Sequence, residues 1–237
     1  MQTVILAGGL GTRLRPNTEK VPKALVEVAG RPFLDYQLEW LARCGVRDVV
    51  LSTGYRADMI RAFVGDGGRW GLDVLQVDEG DDLRGTAGAL RLIADRGVLQ
   101  DRFLVTYGDS FLPIDFRMVW RHFLAGREPA LMTVHDNGER WDSSNACFDG
   151  EKVTLYEKGA PLPKPPGMHF IDYGLSAFRQ SVILDEFPSG ATADLAGLFH
   201  RLSVRGDLAG YEVTQRFYEI GSLPGIRDLE EFLRSRP

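Results

Sequence analysis

A chain of 237 residues, 44% hydrophobic and 26% charged, has the balance of a soluble globular protein with room for one substantial core. Its 28 basic and 33 acidic residues give a net charge of −5, which argues against a generally basic surface for nucleic acid or an anionic membrane. No apolar run reaches the roughly 20 residues that span a bilayer, no basic leader precedes the first apolar run, and Cys44 and Cys147 are too isolated for a disulfide framework, so a cytoplasmic protein is expected.

Residues 3–7 read as a buried strand, and Leu34, Leu38 and Leu41 recur at helical spacing until Gly45. Strands follow at 48–51 and 72–77, with a short helix at 58–64 ended by Gly65. A helix at 86–95, a strand at 103–106, a helix at 115–124 and an apolar run at 130–134 continue the alternation. Alternating strands and helices mean βαβ units and a mostly parallel sheet covered on both faces. The style then changes. Residues 145–156 read as a hairpin turning on Asp149-Gly150 with a type I′ turn, 160–167 as a proline-rich surface loop, and 171–178 as a further strand. Leu195, Leu198, Phe199 and Leu202 mark a helix capped by Thr192 or Asp194, and Ser222-Leu223-Pro224 opens a last helix on Ile226, Leu229 and Phe232. The expected fold is a doubly wound, Rossmann-like α/β core with an antiparallel addition. It forms a single domain, 1–237, in two halves, 1–134 and 135–237.

In open α/β sheets the ligand sits beyond the carboxyl ends of the strands, in the loop after the first strand. Here that loop holds Gly8, Gly9 and Gly11, then Arg13, Arg15, Lys20 and Lys23. Glycines let backbone N–H groups approach an anion or a flat base, and the cations supply charge for phosphates. Neither common motif is present: Leu14 breaks the dinucleotide fingerprint, and no Gly-Lys-Ser/Thr exists for a P-loop.

The stretch Leu6-Ala-Gly-Gly-Leu-Gly-Thr-Arg-Leu-Arg-Pro16, followed by Pro22-Lys23 and Gly30-Arg31-Pro32, resembles the opening of the sugar-1-phosphate nucleotidylyltransferases. The likeness continues in order through Gly85-Thr86-Ala87-Gly88, Tyr107-Gly108-Asp109-Ser110, Glu157-Lys158, Asp172-Tyr173-Gly174 and Glu219-Ile220-Gly221-Ser222, and so covers the whole chain. The chain resembles the short members without hexapeptide repeats, such as heptose-1-phosphate or mannose-1-phosphate guanylyltransferases and N-acetylmuramate-1-phosphate uridylyltransferases.

The resemblance implies transfer of a nucleotidyl group from a nucleoside triphosphate to a sugar 1-phosphate, with release of pyrophosphate. Arg13 and Lys23 would be catalytic, Arg13 on the β- and γ-phosphates and Lys23 between the α-phosphate and the sugar phosphate. Lys23 is expected to be a solvated loop lysine of little weight in folding. Leu6, Ala7, Gly8, Gly9, Gly11, Thr12, Gly85, Thr86 and Gly88 would bind the nucleotide, with the glycines at 85 and 88 leaving room for the base. Their Gly-Thr-Ala-Gly run is more like guanylyltransferases than the Gln-bearing thymidylyl type, which favours GTP. Glu157, Lys158, Asp172 and Gly174 would bind the sugar phosphate, with Asp172 and Tyr173 departing from the usual Asn-Ala. Asp109 and Glu219 would hold a Mg²⁺, Glu219 standing where many relatives carry Asp. The implied partners are the nucleoside triphosphate, the sugar 1-phosphate and a second copy of the chain, without nucleic acid or membrane. Two other readings share the lineage: a cytidylyltransferase acting on phosphocholine or a phosphonate, and a catalytically silent regulatory subunit. The first lacks the Gly-Thr-Ala-Gly run, and the second predicts loss of Lys23, Asp109 or the late carboxylate.

Overall fold

The computed structural model describes residues 1–14 and 18–235, which form a mixed α/β protein of two compact units. The first unit comprises Met1–Leu83, Thr106–Pro113 and Phe217–Pro237; the second comprises Arg84–Val105 and Ile114–Arg216. Arg15 and Pro16 of the opening motif lie outside the described residues.

The first unit carries three parallel strands, Gln2–Leu6, Asp48–Thr53 and Asp73–Asp78, with Val4 opposite Val50 and Val50 opposite Leu75. Val4, Ile5, Val49, Val50 and Leu51 are all buried, the pattern of strands covered on both faces. The third strand alternates, leaving Leu75 48% exposed, and this marks it as half-covered. Helix Phe33–Arg43 buries Leu34, Leu38 and Leu41 as their spacing predicts, and Gly45 follows it at φ +73°. Helix Ala57–Val64 is likewise followed by Gly65 at φ +58°.

Two short ribbons are additions to the sequence-based picture: Glu27–Val28 against Arg31–Pro32, and Ser110–Phe111 against Tyr218–Glu219, both antiparallel. Pairs this short have no periodicity to read. Helix Leu223–Ser235 packs Ile226 and Leu229 into a cluster with Leu14, Val26, Val28, Phe33, Phe111 and Ile220.

In the second unit, Phe170–Arg179 pairs antiparallel with Ala130–Asp136, which in turn pairs parallel with Leu208–Glu212. The expected hairpin forms from Ala146–Phe148 and Val153–Tyr156, but its turn is not type I′. Only Gly150 of the Asp-Gly pair has positive φ, and the Asp149 carboxylate accepts the N–H groups of Glu151 and Lys152 instead. A four-residue loop with side-chain bonds replaces the two-residue turn. Helices Gly85–Asp95, Phe116–Ala125 and Leu195–Arg205 appear as the sequence predicts, while helix Gln180–Glu186 and strand Leu208–Glu212 do not emerge from it. The proline-rich loop is fixed by Lys164, which bonds Glu139 Oε1 at 2.5 Å, Ser143 Oγ and the Ser144 carbonyl. Among the described residues no helix is long and apolar enough to cross a membrane.

Candidate active site

The glycine loop leaves the first strand at Leu6 and is bracketed on both sides within the first unit. Gly11 has φ +61°, and a Cβ there would meet Thr18 Cγ2 at 3.1 Å and Lys23 Cβ at 3.2 Å. The Gly11 carbonyl accepts from Thr18 Oγ1 at 2.7 Å and from the Leu14 N–H at 3.1 Å, which curls the chain into the single turn Thr12–Leu14. Gly8 lies against the Glu79 carboxylate, where a Cβ would approach Oε1 to 2.5 Å. Among the described residues nothing lies within 4 Å of the Gly9 Cβ position, which leaves its backbone open to a flat ligand. The sequence missed Glu79, which Ser52 Oγ holds at 3.1 Å; its only signal was an acid one residue past a strand.

Lys23 opens a single turn, Lys23–Leu25, behind the extended Pro22. Its ammonium bonds Asp109 Oδ2 at 2.5 Å, and the two side chains are only 14% and 31% exposed. Lys23 is therefore not the solvated loop lysine the sequence suggests, because the Asp109 carboxylate 86 positions later draws it inward. Asp109 rides on the turn 107–110. Gly108 brings that turn close to the first strand: its N–H donates to the Leu6 carbonyl at 2.9 Å, and a Cβ would strike Ala7 Cβ at 2.7 Å.

The same turn receives the late carboxylate's strand. Glu219 stands opposite Ser110 in the ribbon, and the Ile220 N–H donates to the Asp109 carbonyl at 3.0 Å. Gly225 matters here, since a Cβ on it would lie 2.1 Å from the Glu219 carbonyl oxygen. Asp109 and Glu219, more than a hundred residues apart, thus sit on neighbouring backbone positions, Glu219 exposed at its end of the ribbon. Hard carboxylate oxygens of this kind suit Mg²⁺, which takes one or two carboxylates and completes its shell with phosphate oxygens and water. Among the described residues no group of three or more His, Cys, Asp or Glu is arranged to hold a metal.

In the second unit, the Gly85-Thr86-Ala87-Gly88 run begins helix Gly85–Asp95. The Ala87 and Gly88 N–H groups both donate to the Ala193 carbonyl, at 2.9 and 3.1 Å, and Thr86 N–H donates to Asp194 Oδ1 at 3.2 Å. A Cβ on Gly85 would meet the Ala193 oxygen at 2.6 Å, and one on Gly88 the Ala191 oxygen at 2.5 Å. Close approach of the 191–193 backbone is therefore in itself a sufficient reason for glycine at both positions. Asp194 holds the N-cap position of helix Leu195–Arg205 without a side-chain cap bond of its own, and Thr86 Oγ1 accepts the Leu195 N–H at 2.8 Å in its place.

Asp172 lies on strand Phe170–Arg179, just before an irregularity in its pairing where Gly174 adopts φ +102°. The Gly174 N–H donates to Asp172 Oδ1 at 2.9 Å, and the Asp172 N–H donates to Asn145 Oδ1 at 2.9 Å. Burial pushes the Asp172 carboxyl up to about 6, opposed by the Gly174 N–H and by the charge of Lys158. Lys158 and Asp172 thus share one electrostatic neighbourhood. Glu157, next to Lys158, is fixed by its N–H to the Asn145 carbonyl at 2.8 Å. Asn145 serves both segments, a role its sequence position did not announce.

Family comparison decides among lineages that share such loops. The Nucleotidyl transferase family model matches residues 2–144. The chain belongs to the nucleotidyl transferase family. It is similar to the glucose-1-phosphate thymidylyltransferase of Streptomyces antibioticus, 38% identical over 185 residues that cover 77% of this chain and 50% of that protein. It is also similar to the D-glycero-alpha-D-manno-heptose 1-phosphate guanylyltransferase of Aneurinibacillus thermoaerophilus, 32% identical over 126 residues and 53% of each chain. The chain spans about half the length of these two curated relatives. Among solved structures, a putative glucose-1-phosphate thymidylyltransferase from Bacillus anthracis in complex with a sucrose superposes with a TM-score of 0.84 at 25% identity, covering 100% of this nucleotidyl transferase chain and 96% of that one. The fold class, mixed α/β with a central and mostly parallel sheet, is the one the sequence predicts.

Proposed function

We propose that this nucleotidyl transferase moves a nucleotidyl group from a nucleoside triphosphate, with GTP favoured, to a sugar 1-phosphate. A phosphate oxygen of the sugar attacks the α-phosphorus in line, the α–β bridging bond breaks, and the electrons leave with pyrophosphate. The observation that carries this reading is the Lys23–Asp109 pair bracketing the glycine loop, with a lysine only 14% exposed. Two polyanions must meet in this reaction, and catalysis is mostly positioning and cationic stabilisation.

Lys23 bridges the α-phosphate and the incoming sugar phosphate, and Arg13 holds the β- and γ-phosphates. Leu6, Ala7, Gly8, Gly9, Gly11, Thr12 and the 85–88 run receive the nucleotide. Glu157, Lys158, Asp172 and Gly174 receive the sugar phosphate, so the nucleotide belongs to the half 1–134 and the sugar to the half 135–237. Asp109 and Glu219 would hold a Mg²⁺, which when bound neutralises phosphate charge that the lysines leave uncovered. The enzyme so read works in the cytoplasm as a homodimer. The relatives named above use different nucleotides by name, so the preference for GTP rests on the Gly-Thr-Ala-Gly run.

The test is pyrophosphate release with four nucleoside triphosphates against hexose and heptose 1-phosphates. Release is expected only with both substrates and a divalent cation, fastest with GTP. Equal release without a sugar phosphate would identify a pyrophosphohydrolase instead.

A further inference from the structure

Gln37 occupies a place where an apolar residue would be expected. It falls on the buried stripe of helix Phe33–Arg43, with Leu34, Leu38 and Leu41, and is 4% exposed. Its amide nitrogen donates to the Tyr107 carbonyl at 2.8 Å and to the Ser110 carbonyl at 3.0 Å. Both hydrogens of one NH₂ group are thus used on the two ends of a single four-residue turn. The orientation is forced, because the flipped amide would aim its oxygen at two carbonyl oxygens. Gln37 Oε1 is buried and has no hydrogen-bond partner among the described residues. A buried polar atom left without a partner costs stability. That cost is set against the two bonds its nitrogen makes, since a leucine here would leave the Tyr107 and Ser110 carbonyls without this donor.

What the nitrogen holds is the turn 107–110 that presents Asp109. Every residue of that turn has a backbone anchor: Tyr107 and Ser110 through Gln37, Gly108 through its N–H to Leu6, and Asp109 through Ile220 N–H. The Gln37 link grips both ends of the turn at once. We infer that Gln37 is a positioning residue that fixes the direction of the Asp109 carboxylate toward Lys23 and toward a divalent cation. The inference rests on the reading of Asp109 as a cation ligand under "Proposed function". Outer partners that orient a ligand of this kind typically govern metal affinity by about 10–100-fold.

The experiment uses Mn²⁺ alone as the probe, titrated by electron paramagnetic resonance into wild type, Gln37→Leu and Asp109→Asn, with thermal unfolding on the same samples. Gln37→Leu is expected to weaken Mn²⁺ binding at least about tenfold while the thermal midpoint stays within a few degrees. A lowered midpoint with unchanged Mn²⁺ affinity would make Gln37 merely structural and overturn the inference. If Asp109→Asn binds Mn²⁺ like wild type, the cation-ligand reading and this inference fall together. If Asp109→Asn weakens binding and Gln37→Leu does not, this inference falls alone. Gln37→Glu is a second handle should the leucine variant fail to fold. Its carboxylate would face two carbonyls when ionised and could donate once when protonated, so its Mn²⁺ deficit relative to wild type should grow as pH rises. A deficit independent of pH, or none at all, counts against the inference.

Discussion

Asp109 in the first unit and Asp172 in the second each have a lysine for company, yet they are held in opposite ways. Asp109 bonds Lys23 directly at 2.5 Å, and both side chains are more covered than open. Asp172 accepts the N–H of Gly174, and Lys158 acts on it only through its field while burial pushes its carboxyl up to about 6. In the first case the carboxylate is held by direct contact; in the second its charge depends on pH. The comparison separates two tasks. On the proposed reading, a group that steers phosphates benefits from an ion pair already ordered, whereas a carboxyl in the sugar-phosphate site can serve as donor or acceptor according to its proton.

The largest effect that would test this contrast is at Lys23. Lys23→Ala should lower kcat by at least about a hundredfold, the scale of losing one oriented electrostatic donor. It should also destabilise the fold by more than the roughly 0–1 kcal/mol of an exposed pair and less than the ~3–5 kcal/mol of a fully buried one. Normal turnover together with a large stability loss would leave Lys23 purely structural. Lys158→Ala comes next: about tenfold higher KM for the sugar phosphate, or ~1.4 kcal/mol, with an unchanged thermal midpoint. A comparable stability loss at both lysines would erase the distinction between the two regions.

Thr86→Val removes the hydroxyl that caps helix Leu195–Arg205 and should cost about 1 kcal/mol, read from urea unfolding. No change in midpoint would mean that solvent replaces the cap. The last effect, read against pH, concerns Asp172. Its folded carboxyl titrates near 6, above its ordinary value of 3.8, so the folded state keeps a proton that the unfolded chain releases. The stability associated with the neutral form is complete below the ordinary value and is lost as pH rises to about 6. Asp172→Asn should therefore gain on wild type as pH goes from about 4 to 7. Parallel stability curves for the two proteins would contradict the assignment.

How much of this was legible beforehand follows from the range of each signal. The stripe of Leu34, Leu38 and Leu41 and the runs of the parallel strands are local, and they placed their elements within a residue or two. The ribbon Ser110–Phe111 with Tyr218–Glu219 is two residues on each side and wholly non-local, so nothing periodic announced it. The chemistry-bearing residues could be named by motif, but not their partners. Lys23 and Asp109 meet across 86 positions, and Thr86 meets Asp194 across 108. The Asp149-Gly150 turn misled because an Asp side chain can replace backbone geometry with its own hydrogen bonds. Gln37 was visible as a polar residue on an apolar stripe, a mismatch between pattern and chemistry that deserved a functional reading.

Helix Leu223–Ser235 sets an order on the birth of the molecule. Its Ile226 and Leu229 cover Leu14, Val26, Val28 and Phe33, side chains that leave the ribosome some two hundred residues earlier. Until that helix emerges these side chains lack part of their cover, and vectorial folding must wait on long-range closure. The residues that present Glu219 are translated in the same stretch. This cluster and the presentation of Glu219 thus both depend on residues some two hundred positions after Leu14, and a chain cut before residue 218 lacks both.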